Sequence, residues 1–195
     1  MTIYRFLLVS LNIHAILGES TIHRRREQLS RITDGLGLGD AYCTTIERIT
    51  AQGGSKSWLG IAALMWVSHA ERPLMADELC HALAVELGSK DFNAGNIPSI
   101  STAVSRCQGL IRLDKEASVV RLIHFTLKEY LSTHHDIISN FSCGNGRNLP
   151  HLSGFEPGQK TLSLYRSYNS RETTFLEYCS LYWGAHAKKE LSHHA

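Results

Sequence analysis

Net charge of one sign is nearly missing from this sequence. Across 195 residues, 20 Lys and Arg stand against 18 Asp and Glu, a formal balance of +2. Spread over the whole chain, that supplies no field able to hold a polyanion, so nucleic-acid binding would need a local cluster of cations. Long apolar runs are missing too, and no segment is both long and apolar enough to span a bilayer. Paired cysteines are the third absence. Cys43, Cys80, Cys107, Cys143 and Cys179 are odd in number, scattered, and nowhere arranged as C-x-x-C. That speaks against a disulfide framework and for isolated thiols in a reducing, cytoplasmic compartment. What remains is an ordinary globular composition, 43% hydrophobic, enough for a core in one domain or one and a half.

The start of the chain has the outline of a leader, one Arg followed by an apolar stretch. Ser10, Asn12 and His14 interrupt that stretch, while Phe6, Val9, Ile13, Ile16 and Leu17 repeat at helical spacing, so residues 6–17 read as an amphipathic or buried helix. Gly18 closes it, and Ser20 or Thr21 caps a second helix over 22–32. Its Arg24, Arg25 and Arg26 lie beside Glu27 with no aromatic residues between them, the pattern of a solvated face. The run DGLGLGD, residues 34–40, reads as a loop, and Tyr42, Thr45, Ile46 and Ile49 form the inner stripe of a short helix after it.

From residue 53 the punctuation changes. GGSKS reads as a flexible turn with a capping serine, opening a helix over 58–70 that is apolar nearly all round and therefore central. Pro73 starts a helix to residue 87, with Asp77 and Glu78 early, where the macrodipole favours acids. After a polar loop, a third helix runs from 99 to 109. The period then switches to two. Residues 110–113 and 119–123 read as strands joined by DKEAS, and a helix over 124–135 follows. Three helices, two strands and a helix in that order are the plan of a winged helix. Residues 140–160 carry no periodicity and read as loop or disorder. Near the end, Phe175, Leu176, Cys179, Tyr182, Trp183 and His186 share one face of a helix over 173–191.

Candidate chemistry is mostly excluded. GGSKS lacks the G-x-x-x-x-G-K-[ST] frame and the preceding strand of a phosphate-binding loop, and GLGLG lacks the strand and glycine spacing of a dinucleotide fingerprint. His134 and His135 with Cys143, or His186 with His193 and His194, give adjacent histidines whose side chains diverge, so no zinc site is expected. No nucleophile elbow is present and no catalytic pair can be matched by spacing, so no catalytic residue is assigned and enzymatic activity is not expected. A DNA-reading winged helix needs cations on its third helix and its wing. Here the third helix offers Arg106 and Gln108, and the wing turn sets Asp114 and Glu116 beside Lys115.

The strings DAYCTTIERI, IAALMWVSHAERPLMADELCHALAV, SVVRLIHFTLKEYL and TTFLEYCSLYWGAHA resemble the region just after the nucleotide-binding module of fungal NACHT-type STAND NTPases. These signalling proteins are similar in plan to vegetative-incompatibility proteins and often continue into ankyrin repeats. The resemblance covers roughly residues 5–135 and 173–191, and R-P-L-x-x-x-E-L-x-x-A-L-A-V, from Arg72 to Val85, is its most specific string. It implies a helical segment followed by a winged helix of the kind catalogued with GPI inositol-deacylase-like proteins, without deacylase chemistry here. It also implies a fragment, since the P-loop, magnesium-binding acid and sensor elements of the family lie upstream. His124 corresponds to a winged-helix histidine that in related proteins reaches the β-phosphate of bound ADP and holds a closed, inactive state. The missing nucleotide-binding domain would cover apolar surface at residues 6–17 or around Tyr182 and Trp183.

The expectations are then these. The fold is mainly α with a small β-hairpin wing, a winged-helix domain flanked by helical segments. Residues 1–52 are a helical segment resembling the end of a NACHT module, 53–135 the winged helix, 136–172 an irregular or disordered linker, and 173–195 an amphipathic helix and tail. The function is non-catalytic, regulatory and scaffolding, without cofactor or metal. The partners are a NACHT nucleotide-binding domain in cis and ankyrin repeats, with neither DNA nor membrane. The competing readings are a winged-helix nucleic-acid-binding module and a degenerate fragment with no function of its own.

Overall fold

The computed structural model describes residues 7, 9–13, 16, 17, 19–33, 37–85, 93–134, 175 and 177–182. Residues 9–13 are helical, and helix α1 (Ile22–Thr33) follows. Thr21 Oγ1 accepts from Arg24 N–H at 3.3 Å, so the threonine is a cap for α1. Helix α2 (Leu38–Ala51) begins inside the glycine-rich run, which corrects the loop expected over 34–40 for its last three residues. Asp40 is the cause. Its Oδ2 accepts from Gly37 N–H at 3.1 Å, and an acid at the third helical position satisfies a donor that the helix itself leaves open.

The turn into α3 (Gly54–His69) departs from expectation in the same direction. Gly53 and Gly54 both take positive φ, 69° and 53°, a conformation that costs glycine little. The reversal is therefore completed within two residues, and Ser55, Lys56 and Ser57 join the first helical turn instead of forming a flexible loop with a capping serine. Helix α3 is central, as its apolar circumference implies: every residue from Gly60 to Trp66 is buried.

The expected helix from Pro73 is corrected too. Leu74–Met75 form strand β1, and helix α4 (Ala76–Ala84) starts after it. A 3-10 turn (Ala94–Asn96) leads to helix α5 (Ile100–Arg106), whose N-cap Ser99 accepts from Thr102 N–H at 3.2 Å. Helix α5 stops at Arg106, short of the expected 109, because Gln108 and Gly109 take φ of 50° and 87°. Strands β2 (Ile111–Asp114) and β3 (Val119–Leu122) then form the wing, and helix α6 (Phe125–Thr133) follows.

The sheet is antiparallel in the order β1-β3-β2. Leu74 lies opposite Val120 and Met75 opposite Val119, while Ile111, Arg112, Leu113 and Asp114 face Leu122, Arg121, Val120 and Val119. Alternation along each strand sends Leu74, Ile111 and Val120 into the core and Met75, Arg112 and Arg121 to solvent. The architecture is mainly α with a small three-stranded sheet, the expected wing plus one strand.

Leu7 and Leu11 from the first helical residues, Tyr42 and Ile49 of α2, Leu64 of α3, and Leu127 and Leu131 of α6 belong to one continuous core. Phe175 and Tyr178 join it: Phe175 meets Trp66 edge-on at 5.3 Å, and Tyr178 Oη accepts from Glu71 N–H at 3.0 Å. Phe175 of the expected face is buried, and Tyr178, which that face omitted, is buried beside it. Tyr178 is its most buried residue, and Cys179 and Tyr182 are half-buried. Leu176, Trp183 and His186, like residues 135–174 with His135 and Cys143, and like His193 and His194, lie outside the described residues, while His134 is described and exposed.

Candidate functional site

Two polar constellations stand out against this apolar interior. The first explains the most specific string in the sequence. Arg72 places Nη1 2.8 Å from Glu78 Oε2 and Nη2 2.6 Å from Glu78 Oε1, a two-pronged pairing. Glu78 Oε2 also accepts from Met75 N–H at 2.8 Å, closing the start of α4. The Glu78 side chain is only 3% exposed, so its charge depends on these partners. The carboxylate in turn raises the pKa of Arg72, first through the hydrogen bond. Tyr178 and Tyr182 present their rings to the same guanidinium at 5.2 and 5.7 Å. Pro73 and Leu74 between the pair form the step from α3 into the sheet. The string Arg72 to Leu79 is thus a structural clasp that sets β1, α4 and the last described helix around one ion pair.

The second constellation holds His124, the residue singled out by resemblance. It is half-buried and caps α6: Nδ1 accepts from Thr126 N–H at 3.3 Å and lies 2.8 Å from Thr126 Oγ1. That hydroxyl lies 2.9 Å from Tyr42 Oη on α2. With Nδ1 accepting, the neutral imidazole carries its proton on Nε2. A consistent set of donors runs from Tyr42 to Thr126 to His124. His124 is therefore held at the junction of α2, β3 and α6, with the exposed ring of Phe125 4.4 Å away. Tyr130 packs on Tyr42 at 5.4 Å and stacks on His134 at 4.2 Å, while Glu129 is exposed on the helix surface.

The surface that would read DNA is modestly equipped. On α5, Ser101 and Ser105 are exposed, and Arg106 is half-buried with its Nε lacking a partner. The wing carries more than its turn implied. Arg112 and Arg121 face each other across β2 and β3, both exposed. The readable sign of this was their symmetric placement about the turn residues 115–118.

No ligand set for a metal forms among the described residues. The four described cysteines are free, and burial pushes the thiols of Cys107 and Cys179 up to about 12. Groups so reluctant to ionise make poor nucleophiles.

An order α3-β1-α4-α5-β2-β3, with β1 paired to the returning strand of the hairpin, defines a winged helix. Residues 46–143 match the family described as GPI inositol-deacylase, winged helix domain. The match takes in half of the chain, which belongs to that family. No curated protein and no solved structure matches it. Among the described residues, no helix is long and apolar enough to cross a membrane.

Proposed function

We propose that this chain is a non-catalytic regulatory and scaffolding part of a NACHT-type signalling NTPase. Its winged helix packs against the nucleotide-binding domain in the inactive state and rearranges on activation. The plan is that of the fungal vegetative-incompatibility proteins, with a NACHT module before this region and ankyrin repeats after it.

The observation that carries this reading is the surface of the N-terminal helices. Between Ile22 and Ser30 no side chain of α1 is buried, and Ile22 is 69% exposed. Leu17 before it is 59% exposed, and Ile13 and Leu29 are exposed as well. A helix of about 12 residues is marginal in water without a packed face, and a run of exposed aliphatic side chains is a surface in want of a cover. In a NACHT protein this segment adjoins the nucleotide-binding module, the domain placed to cover it. His124 would then sense the β-phosphate of bound ADP from its fixed position at the head of α6.

The test is co-expression of the 195-residue chain with the NACHT domain of a longer relative. Association, reduced binding of a hydrophobic dye, and loss of both effects in Ile22→Asp/Leu29→Asp are expected. A chain that binds no dye alone and stays monomeric beside the NACHT domain would overturn the reading.

A further inference from the structure

The outer face of the small sheet is a mosaic. Arg112 on β2 stands directly across from Arg121 on β3. Side chains in such a pair start about 5 Å apart, and like charges there destabilise the sheet. Both arginines are exposed, and neither has a carboxylate partner among the described residues. The next row of the same face holds Asp114, Val119 and Met75, the last 47% exposed. Asp114 is turned to local use, its Oδ1 accepting from Ala117 N–H at 3.3 Å. Two cations therefore sit side by side at a cost to the fold, next to an uncovered thioether and a half-buried valine.

We propose that this face docks an acidic, partly apolar peptide segment of a protein partner, whose carboxylates take Arg112 and Arg121 while an aliphatic side chain covers Met75. Charge complementarity selects that occupant. Alternate residues of an extended peptide lie about 7 Å apart, so two carboxylates on one side of it reach both guanidinium groups, each suited to paired N–H···O bonds. A nucleic-acid backbone fits less well. It would run its phosphates past Asp114 and Glu116, and it gains nothing from Met75. A second copy of the chain would set arginines against arginines. The surface lies on the strands of the winged helix and not on the N-terminal helices whose exposed aliphatic residues carry the proposed function, and its peptide test needs no nucleotide-binding domain.

Fluorescence anisotropy with the full chain tests this, using a labelled 12-residue peptide that carries Glu-x-Glu followed by leucines. Controls are the same peptide with Gln for Glu, and a 20-base-pair duplex. The Glu peptide is expected to bind, and to bind about tenfold more weakly after Arg112→Gln/Arg121→Gln, while Arg24→Gln/Arg26→Gln changes nothing. A thermal melt of the wing variant should match or exceed that of the parent, since a like-charge pair is removed. Absent binding, equal binding of the Gln peptide, preference for the duplex, or a lowered melt would each overturn the proposal.

Discussion

Arg72 grips Glu78 with both terminal nitrogens, at 2.8 and 2.6 Å, while the same carboxylate takes the N–H of Met75. Removing the arginine leaves a buried charge with a single backbone donor. Arg72→Ala should therefore lower stability by about 2–3 kcal/mol, below the usual figure for a fully buried pair because the arginine is part-exposed. Glu78→Gln keeps an acceptor for Met75 and should cost less. Urea unfolding of both variants measures this, and equal losses would mean that the charge is immaterial.

Gly60 lies where α3 crosses the end of α5. A Cβ there would stand 2.7 Å from the carbonyl oxygen of Arg106 and 2.8 Å from Ile49 Cγ2. The first obstacle is backbone and cannot swing away. Alanine would favour the helix by about 1 kcal/mol, but forcing α3 and α5 apart costs about 1–3 kcal/mol. The Cys107 Sγ contact to Gly60 O, 3.3 Å, would open as well. Gly60→Ala is expected to be net destabilising, by up to about 2 kcal/mol, in the same unfolding assay.

Burial raises the pKa of the Cys107 thiol to about 12 from 9.0. Above pH 9 the unfolded chain has lost this proton while the folded chain keeps it, so rising pH favours unfolding. The contribution is full below pH 9 and is lost progressively towards pH 12, at about 1.4 kcal/mol per pH unit for one such group. Cys179 is shifted the same way, and Tyr178 rises from 10.0, in both cases first through burial. Denaturation midpoints at pH 8, 9 and 10 should fall in that order, less steeply in Cys107→Ala. Alkylation followed by peptide mapping should modify Cys43 in the native chain and Cys107 only in urea.

Which of these features a reader of the sequence can see depends on how many residues carry the signal. Helix α3 is legible because nearly every position is apolar, and the wing because two β-branched runs flank a polar turn. Strand β1 is two residues long, too short for any period, and its existence depends on Val119 and Val120, more than forty positions away. Glu78 is visible as an acid in a first helical turn. Its partner Arg72 lies outside the helix, so a dipole argument accounts for the residue type and misses the clasp. Tyr178 is hidden differently: several residues of its segment are aromatic or aliphatic, and only the position of Trp66 and Glu71 decides which face turns inward. For the surface features, the symmetric placement of Arg112 and Arg121 about the turn hints at their confrontation, and the register makes them direct partners.

His124 has two separable properties, a cap and an imidazole. As a cap it satisfies Thr126 N–H and, through Thr126 Oγ1, ties α6 to Tyr42 of α2. Losing an N-cap costs about 1 kcal/mol, so His124→Ala should destabilise the chain by that amount whether or not a nucleotide is ever sensed. Asparagine is among the best N-caps and has no imidazole. His124→Asn should thus hold most of the stability of the parent chain. In a full-length NACHT relative carrying the equivalent substitutions, a sensing histidine predicts faster ADP release for both Ala and Asn. A histidine that serves only as a cap predicts faster release for Ala alone, through loosening of the α2–α6 junction, and unchanged release for Asn. Melting temperature and nucleotide exchange measured on the same two variants therefore separate the roles, and unchanged ADP retention in the asparagine variant would remove His124 from the sensing mechanism.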